Sequence, residues 1–134
     1  MARKKVLVVD DDRNLSRATQ MALEQGGLYE VRVVNQPGDA VKAAGEFLPD
    51  LILMDVIMPD IDGGTVASLI REDNRLKNVP VIFFTSIVNK KDTNEHDGII
   101  GTEHFLAKPI SVPELLAAVK KTLDQGTGKT QSSP

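Results

Sequence analysis

The feature that most constrains this chain is a set of short apolar runs, each ending on a polar residue. Val6-Leu7-Val8-Val9 stops at Asp10-Asp11-Asp12, and Leu51-Ile52-Leu53-Met54 stops at Asp55. Val79-Pro80-Val81-Ile82-Phe83-Phe84 stops at Thr85-Ser86, and His104-Phe105-Leu106-Ala107 stops at Lys108-Pro109. Continuous β-branched or aliphatic runs of this length suit strands buried on both faces. Tyr29-Glu30-Val31-Arg32-Val33-Val34 alternates and suits a strand nearer an edge.

Helical patterns fill the gaps. Asp12 can cap a helix carrying Leu15, Ala18, Ala22 and Leu23 that stops at Gly26-Gly27. Pro37-Gly38-Asp39 opens a second helix, with Ala40, Val41, Ala44 and Phe47. A third follows Gly63-Gly64, with Val66, Leu69, Ile70 and Leu76. Ser111-Val112-Pro113-Glu114 reads as a capping box before Leu115, Leu116, Val119 and Leu123. The polar stretch Asn89–Gly101 is expected to be a short or irregular helix. Residues 1–124 are expected to form the domain, and the apolar-poor segment 125–134 a disordered tail. Strand and helix alternating five times imply an α/β fold, a parallel sheet with helices on both faces. Sites in such sheets form at the carboxyl ends of strands.

Composition removes other classes. The 134 residues suit one domain, with 41% hydrophobic and 26% charged residues. There is no Cys, which excludes disulfides, thiolate metal sites and a cysteine nucleophile. A net charge of -3, no Trp and 4% aromatics argue against direct nucleic-acid binding. No apolar run reaches the roughly 20 residues of a membrane span, so a cytoplasmic protein without membrane contact is expected. His96 and His104 sit in polar stretches and read as exposed histidines. Gly126-Thr127-Gly128-Lys129-Thr130 lacks the preceding strand and first Gly of a phosphate-binding loop. Asp60-Ile61-Asp62-Gly63 would place Met58 and Leu69 at essential calcium-ligand positions, so it is no EF-hand.

The strand ends would bring Asp10, Asp11, Asp55, Thr85 and Lys108 to one crevice. Clustered carboxylates repel one another and call for a cation. All-oxygen ligands suit Mg²⁺, or Mn²⁺ in its place. Lys108 can meet a phosphate oxygen or Asp55 itself, and Thr85 can donate to a second phosphate oxygen. Asp55 is the candidate nucleophile for an aspartyl-phosphate.

These segments, with Asp50–Pro59 and Asp62-Gly63, resemble the response-regulator receiver domain of two-component (phosphorelay) signalling, from about Lys4 to Leu123. The resemblance implies a flavodoxin-like, doubly wound, five-stranded parallel sheet in the order 2-1-3-4-5. It implies that Asp55 accepts a phosphoryl group from a sensor histidine kinase or phosphotransfer protein. Asp11 is then the direct Mg²⁺ ligand and Asp10 a partly water-mediated one, with Asp55 and the Ile57 backbone carbonyl completing the set. Thr85 and Lys108 sense the phosphate, Phe105 is the aromatic switch, and Lys108–Pro109 is often cis. Asp12 fits a helix cap better than a ligand. The changing surface is the fourth helix, fifth strand and last helix, compatible with a phosphorylation-dependent dimer. Such a domain is no enzyme beyond its own phosphorylation and autodephosphorylation.

Ile57 and Ile87 stand where the family often has polar residues, and a long-lived phosphoryl-aspartate is expected from them. A phosphatase would want an acid at position 57, and a flavin or nucleotide carrier would want Gly, Ser or Thr in place of the aspartate run. A degenerate receiver is opposed by the intact Asp11, Asp55, Thr85 and Lys108. Both a stand-alone regulator and a domain of a longer chain remain open, as do the cognate kinase and the downstream target.

Overall fold

A computed structural model describes residues 3–85, 99–100 and 103–132. Its strands are β1 (Lys4–Val9), β2 (Tyr29–Val34), β3 (Leu51–Met54), β4 (Val81–Thr85), β5 (Ile99–Ile100) and β6 (Glu103–Ala107). Its α-helices are α1 (Arg13–Glu24), α2 (Ala40–Phe47), α3 (Gly63–Arg71) and α4 (Val112–Ser132), with a 3₁₀ turn at Pro37–Asp39 before α2. The sheet order is β2-β1-β3-β4-β6-β5. The five strands predicted from the sequence are parallel, in the expected order. The sixth, β5, is a two-residue addition that pairs antiparallel with β6.

Each central strand is apolar throughout because it serves two cores. Leu7, Val9, Ile52, Met54, Val81 and Phe83 face Ala40, Ala43 and Ala44 of α2 and Val66, Ala67 and Ile70 of α3. Their neighbours Val6, Val8, Leu51, Leu53 and Ile82 face Leu23 of α1 and Leu115 and Val119 of α4. The side-chain period of two therefore sends alternate residues to opposite layers. Burying a residue of this size stabilises the fold by about 1.5–3 kcal/mol. At the edge, β2 buries Tyr29 and Val31 and exposes Glu30 and Arg32, as its alternation foretold.

The helix starts follow local chemistry. The Leu15 N–H donates to Asp12 Oδ1 at 3.0 Å, making Asp12 the cap of α1. The Thr65 N–H donates to Asp62 Oδ1 at 2.9 Å at the start of α3. Ser111 and Glu114 form the reciprocal box, with the Glu114 N–H donating to Ser111 Oγ at 3.2 Å and the Ser111 N–H to Glu114 Oε1 at 3.4 Å. Each such cap is worth about 1 kcal/mol.

Three expectations change. Leu76, read as part of the third helix, lies beyond the end of α3 and is buried in the following turns, where its N–H donates to the Asp73 carbonyl at 2.8 Å. The helix expected over 89–101 lies outside the described residues except at Ile99–Ile100, which are strand; two β-branched residues favour that state. The backbone is helical through Ser132, where a disordered tail from residue 125 was expected. Beyond Pro113 in its first turn, where proline is tolerated, no proline occurs before Pro134, and Gly126 and Gly128 each cost a helix only about 1 kcal/mol.

Candidate functional site

Strand register builds the site. Val9 pairs with Met54, so β1 and β3 end side by side and the next residues, Asp10 and Asp55, emerge together. The Asp55 N–H donates to the Val9 carbonyl at 2.9 Å, and the Asp10 N–H to the Val34 carbonyl at 3.0 Å. On the other side Thr85, the last residue of β4, pairs with Ala107, and Lys108 follows directly. The Lys108–Pro109 peptide is cis.

The result is a dense charge cluster. Asp10, Asp11 and Asp55 each present a carboxylate oxygen within 4.8 Å of the others. Asp10 is 4% exposed and Asp55 8%, whereas Asp11 is open to solvent. Lys108 Nζ lies 2.8 Å from Asp10 Oδ2 and 3.7 Å from Asp55 Oδ1. The contact with Asp55 that sequence reasoning offered is present, and a shorter one is made with Asp10. The ammonium also sits 5.3 Å from the centre of the Phe84 ring, a cation–π distance.

Burial pushes the Asp55 carboxyl above the usual carboxylate range. Lys108 opposes that rise, and repulsion from Asp10 and Asp11 adds to it. The group is thus held in a state that an added cation would relieve. Asp10 already uses both oxygens, Oδ1 accepting from the Asp12 N–H at 2.9 Å and Oδ2 from Lys108. Asp11 and Asp55 are the freer donors. An all-carboxylate set without His or Cys fits a small hard cation such as Mg²⁺.

The loop after β3 is shaped by Gly63. A Cβ there would overlap the Asp55 carbonyl oxygen and approach Met54 Cγ to 2.9 Å. Its N–H donates to the Val56 carbonyl at 2.9 Å, folding the start of α3 back onto the strand end. Asp60 takes up a left-handed conformation, φ 72°, within that loop. Ile57 lies in the same loop with its side chain 60% exposed. Ile87 falls outside the described residues. Phe105 is half-buried on β6 and packs on Phe83, ring centres 5.2 Å apart and tilted by 31°.

Sequence reasoning missed Asn35. It follows β2, and its Nδ2 donates to the Asp10 carbonyl at 2.7 Å and to Ser16 Oγ at 2.9 Å. The signal was available, since Asn35 is the polar residue that ends the second apolar run.

Comparison with known proteins agrees with this geometry. A family model described as the response regulator receiver domain matches residues 6–120. The chain belongs to the response regulator receiver family. It is a receiver domain of two-component signalling with a flavodoxin-like fold. One relative of this receiver domain is the polar-differentiation response regulator DivK of Brucella anthropi, 33% identical over 120 residues, covering 90% of this chain and 96% of DivK. Another is the DNA-binding dual master transcriptional regulator RpaA of Synechocystis, 34% identical over 122 residues. That match covers 89% of this chain but only 48% of RpaA. Among solved structures, the receiver domain of a Pseudomonas aeruginosa sensor histidine kinase is 27% identical, with a TM-score of 0.77. It covers 92% of this chain and 99% of that one, and holds a magnesium ion coordinated in its active site cleft. Among the described residues, no helix is long and apolar enough to cross a membrane.

Proposed function

We propose that this receiver domain is a phosphorylation-dependent switch in which Asp55 accepts a phosphoryl group from the phosphohistidine of a sensor kinase or phosphotransfer protein. The observation that carries this reading is three carboxylates within 4.8 Å of one another, beside an ammonium 2.8 Å from one and 3.7 Å from another. A freer Asp55 oxygen attacks phosphorus in line with the leaving imidazole. The P–N bond breaks, an O–P bond forms, and the imidazole nitrogen takes a proton from solvent. Asp10, Asp11, Asp55 and the Ile57 carbonyl would hold Mg²⁺, or Mn²⁺, which when bound neutralises charge on the moving group.

Lys108 then pairs with a phosphate oxygen, and Thr85 donates to another. Charge-assisted bonds of this kind contribute about 1.5–3 kcal/mol each. Together they approach the roughly 5.5 kcal/mol that swings a two-state equilibrium from 1:99 to 99:1. Phe105, packed on Phe83 at the rim of one core, is the aromatic whose rotation would carry the change outward. The surface that changes includes β6 and α4, and it would bind the downstream target or a second copy. The chain catalyses only its own phosphorylation and dephosphorylation, in the cytoplasm.

Incubation with a small phosphodonor and Mg²⁺, followed by intact mass, tests this. One added phosphoryl group that is absent in Asp55→Asn supports it. No addition to the wild type, or addition that survives in Asp55→Asn, overturns it. Turnover of added phosphate esters would favour a phosphatase instead.

A further inference from the structure

Every polar atom of Asp10 that can be held is held. Its N–H reaches β2, one carboxylate oxygen takes the Asp12 N–H, the other takes Lys108, and its carbonyl takes Asn35. That carbonyl belongs to the peptide joining Asp10 to Asp11, the two acids contributed by the end of β1. Rotation of this peptide plane would swing the exposed Asp11 carboxylate relative to the buried pair. Asn35 is suited to prevent it. A carbonyl only accepts, so the amide must present its NH₂ group, and the two protons of that group have two partners, Asp10 O and Ser16 Oγ. Ser16 is itself fixed: it is 1% exposed on α1 and its hydroxyl donates to the Arg13 carbonyl at 3.1 Å. A chain of bonds thus runs from the body of α1 through Asn35 to one peptide of the acidic turn.

We infer that Asn35 is a positioning residue that sets the divalent-cation affinity of the acidic cluster by pinning the Asp10–Asp11 peptide. The inference rests on the reading of that cluster as a cation site. Partners lying just outside a ligand set commonly change metal affinity by about 10–100-fold when removed. Asn35 acts through a ligand's backbone, so the lower end, about tenfold, is expected.

The test titrates the full chain with Mn²⁺ and reads the free ion by electron paramagnetic resonance. Asn35→Ala should weaken binding about tenfold. Asn35→Asp keeps the shape, loses the donor and adds a negative charge. Charge alone would tighten cation binding, whereas loss of the pin loosens it, so the sign decides. The Asp11 amide, which shares the pinned peptide, gives a second readout: its ¹⁵N resonance should shift in both variants while the amides of Gly27 and Gly45 stay put. Affinity within twofold of the wild type in Asn35→Ala, or equal or tighter binding in Asn35→Asp, overturns the proposal. If Asn35→Ala fails to fold, the isosteric Asn35→Asp decides alone. A wild-type chain that leaves all Mn²⁺ free sinks the cation site itself, an outcome distinct from a wild type that binds alongside variants that bind as well.

Discussion

The two ends of the sheet treat aspartate in opposite ways. Away from the acidic cluster, Asp73 is clasped by Arg75, with Nη2 at 2.7 Å and Nε at 3.1 Å, and its carboxyl is held well down, at about 2. Asp50 accepts the Lys5 N–H at 2.8 Å. At the carboxyl ends of β1 and β3, Asp10 and Asp55 share the Lys108 ammonium with Asp11 close by, and Asp55 is pushed up rather than down. The same residue type is satisfied in one place and left short of partners in the other. Asp73 and Asp50 are given their partners within the fold, whereas the acidic cluster keeps a deficit of positive charge, as functional sites commonly do.

The largest test of that contrast removes the shared cation. Lys108→Ala leaves Asp10 buried and uncompensated, and breaking such a pair commonly costs about 3–5 kcal/mol. Chemical denaturation without metal should show a loss of that order, and Mg²⁺ should restore part of it. A variant as stable as the wild type would mean the ammonium does not balance the cluster. Next in size, Gly63→Ala forces a methyl against the Asp55 carbonyl. Overpacking of this kind costs about 1–3 kcal/mol. The variant should melt lower and, on the proposed function, accept phosphate poorly, because the displaced group is the backbone of Asp55. Gly64→Ala, where a Cβ meets only Asp62 Oδ1 at 3.2 Å, is the milder control.

The smallest effects have opposite signs at the two ends. A carboxyl whose pKa is raised by folding stabilises the protein in its neutral form, and that contribution is lost as pH rises through the folded value. Asp55→Asn should therefore raise the melting temperature in metal-free buffer at pH 7, with the gain vanishing as pH falls through the carboxylate range. A carboxyl lowered by folding contributes above its unfolded value and loses that contribution as pH falls towards about 2, the value held by Asp73. Asp73→Asn should thus lower the melting temperature slightly at neutral pH and leave it unchanged in strong acid. Matching signs in calorimetry would erase the contrast.

Most of the architecture was readable because the central strands are buried on both faces, which makes their runs continuous. Asp10, Asp11, Asp55 and Lys108 were readable because parallel strands deliver the residues that follow them to one place. The exceptions depend on contacts that no local pattern encodes. Asn35 meets Asp10 across 25 positions of sequence. The need for glycine at position 63 comes from the close approach of a strand end, invisible until the loop is closed. That Lys108 reaches Asp10 more closely than Asp55, 2.8 Å against 3.7 Å, depends on distances that spacing cannot supply. The strand at Ile99–Ile100 and the extension of α4 to Ser132 were not foreseen because polar composition was weighed above two β-branched residues in the first case and above a stretch free of proline in the second.

The flush pairing of Val9 with Met54 makes this chain's chemistry a proofreader of its folding. A slip of β3 by one residue would turn its whole apolar set to the wrong layer and offer Met54 or Val56 where an acid is required. A misthreaded molecule would be not merely less stable but stripped of the acidic cluster itself.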